Sequence, residues 1–384
     1  MRTKCGKLFL LLGAMPFAAL AVQENGAVWY DTAGHVVNAH GGGVLVHEGK
    51  YYLYGEHKVY GEAGNKAHVG VHIYSSDDLT AWKDEGVALA VEDRPGSDIE
   101  DGCILERPKI LYCDKTARFV MFFHLELKGQ GYRAARTGIA VSDSPTGPYT
   151  FLRSMRPNAG QWPVDVPESE RTAETMRKFI EIPQWWGGAA KQWGAHFGGG
   201  QMSRDMTLFK DDDGKAYHVF ASEDNSTMHV AELTSDYLDY SGLWWRVAEN
   251  EWTEAPAVCK KDGWYYIIGS GCSGWKPNMA RCYRARAMQG PWEFVGNPCK
   301  GGVNPVNGLG PEKTWGGQSN YILKVSEDLY LAMFDMWNPK NQVDSRLFWL
   351  PISFGGDCIP SIGWSNTATA GGASGILTNH LHGL

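Results

Sequence analysis

One unit recurs five times along this chain and limits its fold more than any other property: a turn, then an aromatic-rich strand of alternating or continuous apolar character. The copies are Gly49–Tyr54, Ala117–Phe122, Gly214–Phe220, Gly263–Ile268 and Asp328–Phe334. A second motif follows most of them, a charged or Pro/Gly turn ending in an aromatic, at Ser75–Trp82, Ser142–Tyr149 and Ala287–Trp292. Turns of that kind blunt a solvent-facing outer strand. A buried hairpin with a polar outer strand, repeating every roughly fifty to sixty-five residues, has the size of a four-stranded propeller blade. Five copies therefore predict an all-β, five-bladed β-propeller, with a β-sandwich as the competing arrangement.

The composition suits many short strands and tight turns, since the 384 residues include 47 Gly, 16 Trp, 17 Tyr and 14 Phe. Length alone allows two domains, but propellers routinely exceed the usual single-domain size. A net charge of −7 leaves no basic stripe, which argues against a nucleic-acid partner and for a neutral ligand with stacking faces, such as a sugar. Residues 1–21 read as a signal peptide: Arg2, Lys4 and Lys7 precede the apolar run Leu8–Leu20 and the small-residue pattern Ala19-Leu20-Ala21. That run is too short to span a bilayer comfortably. A secreted or periplasmic monomer without membrane insertion is the expectation. Cys5 falls in the leader, leaving Cys103, Cys113, Cys259, Cys272, Cys282, Cys299 and Cys358, an odd set with at least one free thiol. No CxxC pair occurs, and neither metal nor cofactor is expected.

One interval breaks the period. Between the second and third aromatic strands, residues of about 152–200 form an insertion on one blade, in which 167–182 read as an amphipathic helix with acidic residues in its first turn. Trp162, Trp185, Trp186 and Trp193 surround that helix, and they serve either as a wall of a ligand cleft or as packing. The propeller is assigned to 22–360, and 361–384, rich in small and polar residues, to a loose tail or final closure.

In a propeller the innermost strands start near the axis, so polar residues just before them converge on one mouth of the channel. One such cluster precedes a β-rich segment in each unit: Asn38–Gly43, Leu105–Pro108, Ser203–Thr207, Thr253–Pro256 and Trp315–Ser319. Within them, Glu254 stands between Trp252 and Ala255-Pro256. An indole neighbour and an extended backbone before proline leave that carboxyl poorly hydrated, which raises its pKa toward what a general acid needs. Glu106, two residues before Pro108, can face Glu254 as the second carboxyl of a glycosidase pair. It can equally pair with Arg107, as Asp205 can with Arg204. His40 sits in a glycine-rich turn as a rim residue, and Glu56 either caps a strand or touches a hydroxyl.

Taken together, Glu254-Ala255-Pro256, Glu106-Arg107-Pro108, Ser203–Thr207 and Ser273–Asn278 give a chain that resembles glycoside hydrolase family 43 over roughly residues 27–353. Asn38–Gly43 and Trp315–Ser319 make it most similar to the exo-β-1,3-galactanase branch. The resemblance implies inverting hydrolysis from the non-reducing end with Glu254 as general acid. Most of the wider family carries a catalytic-base aspartate in an Ala-Asp-Pro turn where this chain has Ala39-His40-Gly41. The galactanase branch is similar in lacking it, and the resemblance implies that Gln318 orients the water there, as its amide or its imidic tautomer. Glu106 then modulates Glu254 and holds a hydroxyl, and Glu56, Tyr132, Asp205 and His40 are further sugar contacts. Trp275 and Trp337 supply the stacking platforms. The expected activity is release of terminal galactose from β-1,3-galactan of the arabinogalactan type. An α-L-arabinofuranosidase or β-xylosidase of the same family, or a non-catalytic sugar-binding propeller, are the alternatives.

Overall fold

Each aromatic repeat becomes the second strand of an antiparallel sheet, because its alternate side chains are buried against the neighbouring sheets on either side. The computed structural model describes residues 23–368, so the leader lies outside the described residues. Blade 1 is His40–His47, Lys50–Lys58, His68–Ser76 and Lys83–Ala90. Blade 2 is Ile104–Cys113, Arg118–Glu126, Arg136–Ser142 and Thr150–Met155. Blade 3 is Met206–Lys210, Ala216–Ser222, Thr227–Leu233 and Tyr240–Val247. Blade 4 is Thr253–Lys261, Trp264–Gly271, Ala280–Ala285 and Glu293–Gly296. Blade 5 is Gln318–Lys324, Tyr330–Met336, Arg346–Phe354 and Pro360–Gly363, with Cys299–Lys300 added in parallel at its edge. Strands follow chain order within every blade, and each first strand touches the first strands of the blades on both sides, the fifth closing on the first. The chain is a five-bladed propeller.

Its core is five cores. One apolar cluster fills each gap between adjacent blades: Leu45 and Tyr54 meet Ile110 and Phe119, Val120 meets Leu208, Val219 meets Val258, Ile268 meets Phe334, and Leu331 meets Leu53. Packing is therefore between neighbours, and the axis is left to polar groups. The predicted turns lead into the fourth strands as expected, and Gly147-Pro148 and Gly290-Pro291 in two of them are cis.

The insertion differs from its reading. Only Ala173–Arg177 is α-helical, capped by Thr172 accepting from the Thr175 amide, with a 3-10 turn at Glu168–Glu170 before it. Arg171 interrupts the run, and none of the five helical residues is buried, so no apolar face sustains a longer helix. Trp162 and Trp193 pack into the cluster between blades 2 and 3, whereas Trp185 and Trp186 stand exposed on a small hairpin of Glu181–Pro183 and Ala189–Lys191. The seven cysteines among the described residues are free thiols. Among the described residues no helix is long and apolar enough to cross a membrane. The strand Pro360–Gly363 straddles the expected boundary at 360, and residues 365–368 close onto the amino-terminal segment.

Candidate active site

The first strands carry a bulge at the same depth in four blades, between His40 and Gly43, Glu106 and Lys109, Glu254 and Ala257, and Ser319 and Tyr321. In three of them a residue takes positive φ: Gly41 at 63°, Arg107 at 54° and Ala255 at 53°. The extended backbone expected before proline is thus replaced by a left-handed residue, a conformation that still avoids the helical clash with the proline ring. A bulge re-aims the side chain beside it. Here Glu106 and Glu254 turn from the ladder into one cavity of ≈ 290 Å³. Glycine is required in blade 1, because a Cβ on Gly41 would sit 2.1 Å from Glu56 Oε1.

Every blade supplies that cavity. Blade 1 gives Glu56 and, from the following loop, Asn65; blade 2 gives Glu106, Arg107, His124 and Tyr132. Blade 3 gives Arg204, Asp205 and Asn225, blade 4 Glu254, Gly274 and Trp275, and blade 5 Gln318 and Trp337. Eight of the nine predicted site residues are brought together. The ninth, His40, is not among the lining residues. Its side chain is 1% exposed beneath the floor, Nδ1 lying 3.4 Å from Asp335 Oδ1, because the bulge turns it under while Gly41 lets Glu56 occupy the space above.

Neither predicted alternative ion pair forms. Arg107 crosses the hub instead: Nη2 lies 3.1 Å from Asp205 Oδ2 and donates to Gln318 Oε1 at 2.5 Å, and Nη1 donates to the Ser319 carbonyl at 3.2 Å. Its backbone amide donates to Glu56 Oε1 at 2.9 Å, and Lys58 neutralises the other Glu56 oxygen. Arg204 pairs with Asp224 at 3.3 Å. Trp337 Nε1 also donates to Gln318 Oε1, at 2.9 Å. Arginine and indole are donors only, so they fix the amide with its oxygen toward them. Gln318 Nε2 then faces Glu254 Oε1 at 3.1 Å and Ser270 Oγ at 3.0 Å.

Glu254 faces the cavity, and Asn225 Nδ2 holds its Oε2 at 3.1 Å. Burial, and next the Asp205 carboxylate, push its pKa up to about 8 against the pull of Arg107. Asp205 is the charge that raises Glu254 most, and Arg107 and Arg204 oppose it. Glu106 has the opposite fate. Burial alone would raise its pKa, but His124 Nδ1 at 2.9 Å and Tyr132 Oη, donating at 2.8 Å, bring it down to about 2. His124, whose Nε2 lies 3.0 Å from Glu126 Oε1, is raised to about 9 by these two carboxylates despite its burial. One carboxyl, Glu254, holding its proton while another, Glu106, does not is the division of labour acid catalysis requires.

Glu106, His124 and Asp205 bring ligand atoms within 4.8 Å of one another. Both His124 nitrogens are committed to carboxylates and the ring holds its second proton through neutrality, so it offers a metal no lone pair. Arg107, His124, Asn65, Arg204 and Asn225 were not anticipated as site residues. His124 and Glu126 interrupt the apolar strand Arg118–Glu126 on one face, a legible signal, while Asn65 and Asn225 lie in loops with no pattern around them.

A propeller whose hub gathers carboxyls, amides and two indoles into a sugar-sized cavity is of the carbohydrate-cleaving class. The family model for glycosyl hydrolases family 43 matches residues 181–300. A solved GH43 β-1,3-galactosidase with galactodeoxynojirimycin is 47% identical over 90% of this chain and 99% of its own, with a TM-score of 0.79. The exo-β-1,3-galactanase of Clostridium thermocellum is 30% identical over 91% and 68%, at 0.71, and that of Phanerochaete chrysosporium with galactose 28% over 89% and 66%, at 0.70. A curated xylosidase/arabinosidase of Bacteroides ovatus is 33% identical over 135 residues, spanning 37% of its length. The chain belongs to glycoside hydrolase family 43.

Proposed function

We propose that this protein removes terminal galactose from β-1,3-galactan with inversion at the anomeric carbon. One observation carries the reading: Glu254 turns into the hub cavity beside Asp205, where burial and that carboxylate push its pKa up to about 8. It donates that proton to the departing glycosidic oxygen. The neighbours at 47% and 30% identity, a β-1,3-galactosidase and an exo-β-1,3-galactanase, support the sugar and linkage. Exo action is supported by the wall opposite Glu254. There Gln342 Nε2 donates to Asn65 Oδ1 at 2.5 Å, Asn65 donates to Tyr132, and the Gly61 amide donates to Asn341 at 3.3 Å, so loops of blades 5, 1 and 2 are sewn together. Such a seam across the loops of three blades favours a terminal sugar over a chain running through the cavity.

Gln318 bridges directly to Glu254, and inverting chemistry needs the two groups far enough apart to admit a water, about 6.5–9.5 Å. The entering sugar takes the place of the Gln318 nitrogen at Glu254, and the amide, its oxygen still held by Arg107 and Trp337, positions water on the other face; the proton this water loses on attack passes to bulk solvent, which returns one to Glu254. Glu106, ionised and fixed by His124 and Tyr132, accepts from a sugar hydroxyl, as do Glu56 and Asp205. Trp275 and Trp337, with rings 5.8 Å apart at 69°, make a corner for the apolar sugar face. Export through residues 1–21 belongs to the same proposal, and recovery of a chain lacking them from the medium or periplasmic fraction tests it.

The test of activity is proton NMR of wild type acting on β-1,3-galactotriose. The α-anomer of galactose should accumulate first. Release of arabinose or xylose from aryl glycosides, without galactose from the triose, would move the protein toward the activity named for its Bacteroides ovatus relative.

A further inference from the structure

The seam ties the loops over blades 5, 1 and 2 to one another, which leaves the side of blades 3 and 4 for the rest of a bound chain. On that side stand the two large indoles that neither the core nor the cavity uses. Trp185 is 71% and Trp186 48% exposed, an unusual cost for a water-facing surface. The hairpin tip Gln184–Gly188 lifts them, closed by the Gln184 amide donating to the Gly188 carbonyl at 3.1 Å, with Gly187 and Gly188 both at positive φ. The rings form a chain toward the acid: Trp185 meets Trp186 at 4.8 Å, and Trp186 meets Trp252 at 4.7 Å, both edge to face. Trp252 is two residues before Glu254. The hairpin is fixed on the same side by a second contact, the Lys191 amide donating to Asp224 Oδ2 at 2.8 Å. Asp224 pairs with the lining residue Arg204 and precedes Asn225, whose amide holds Glu254.

We propose that Trp185 and Trp186 form a stacking platform for the leaving-group sugars of the polysaccharide, continuous with the cavity past Glu254. The chemistry fits the occupant. Glu254 protonates the leaving oxygen, so the leaving chain departs across the elements that surround this carboxyl. Pyranose rings offer polarised C–H faces to the electron-rich faces of indoles, and consecutive exposed indoles suit consecutive sugars. Galactan is supplied to this idea by the function proposed above, on which it rests.

The experiment compares wild type with the Trp185→Ala/Trp186→Ala double variant on β-1,3-galactobiose and β-1,3-galactopentaose. The biose places one sugar beyond the cleaved bond, and the pentaose reaches further along the platform. In the variant the ratio of kcat/KM for pentaose over biose should fall about tenfold, through KM rather than kcat. A ratio equal to wild type would overturn the platform while leaving the galactanase reading intact. Wild type inert on both sugars would overturn that reading and the platform's occupant with it. Should the double variant fold poorly, Trp185→Ala alone removes only the more exposed ring, and the same ratio decides. In a Glu254→Gln background, quenching of tryptophan fluorescence by pentaose should weaken on loss of Trp185.

Discussion

At the scale of single residues, the chemistry depends on Glu254 being kept neutral while Glu106 is held ionised. Glu254 titrates near 8 in the folded chain and near 4.5 when unfolded. Unfolding therefore releases a proton between these values, and stability contributed by this group is complete below pH 4.5 and lost as pH rises through 8. Two consequences can be measured together. The alkaline limb of kcat/KM should fall near pH 8, and Glu254→Gln should cut turnover by about 10²–10⁴-fold while retaining sugar binding. The same variant should unfold at higher urea than wild type at pH 8, by roughly 2 kcal/mol or more, with the gap closing toward pH 4.5. Unchanged turnover, or a variant less stable at pH 8, would remove Glu254 from the role of buried acid. Cys272 belongs to the same setting: its thiol donates to the Trp252 carbonyl at 3.3 Å, and burial, then Glu254, raise its pKa, so it is a neutral clamp beside the acid.

At the scale of elements, the Glu-X-Pro bulge is the device that points each carboxyl inward. A left-handed alanine costs roughly 1–2 kcal/mol, offset here by the ladder on both sides of the bulge. Ala255→Val should lower stability by about 2 kcal/mol or more and depress kcat, since a β-branched residue resists positive φ. Ala255→Gly should be tolerated. Urea unfolding and steady-state rates check both, and a valine variant of wild-type stability would mean the bulge is not strained. The bulge also marks how far the chain could be read from its sequence. Five aromatic strands and five polar clusters were legible because each lies within a local pattern of period two. The cavity residues on those strands followed. His40 was misplaced because its side chain direction depends on the bulge, which no local pattern announces. Trp185 and Trp162 share one insertion and one residue type, yet one is bare and the other packed, a difference set by contacts with Trp193, Phe197 and blade 3.

At the scale of the whole molecule, five interblade clusters make a ring whose integrity depends on its last joint. Blade 5 meets blade 1 through the cluster containing Trp29, Val44, Leu331 and Trp349. The joint is tied by the amino-terminal segment. Asn25, 3% exposed, directs its amide to the carbonyls of Trp349, Ser365 and Thr367 at 2.9, 3.0 and 3.0 Å, and its Oδ1 accepts from the Trp349 amide at 2.8 Å. One side chain thus joins the first described residues, the third strand of blade 5 and the segment after its fourth. Alanine at this position would leave the buried Trp349 amide and carbonyl without partners, where no strand replaces them. Asn25→Ala should therefore lower stability by about 2–3 kcal/mol, read as a fall in the urea midpoint at unchanged slope. Because Glu56 and Gln318 flank this joint on blades 1 and 5, loosening it should also raise KM before global unfolding begins. A variant with wild-type midpoint and KM would mean the ring is closed by the interblade cluster alone, and the seam of hydrogen bonds contributes nothing to holding the hub.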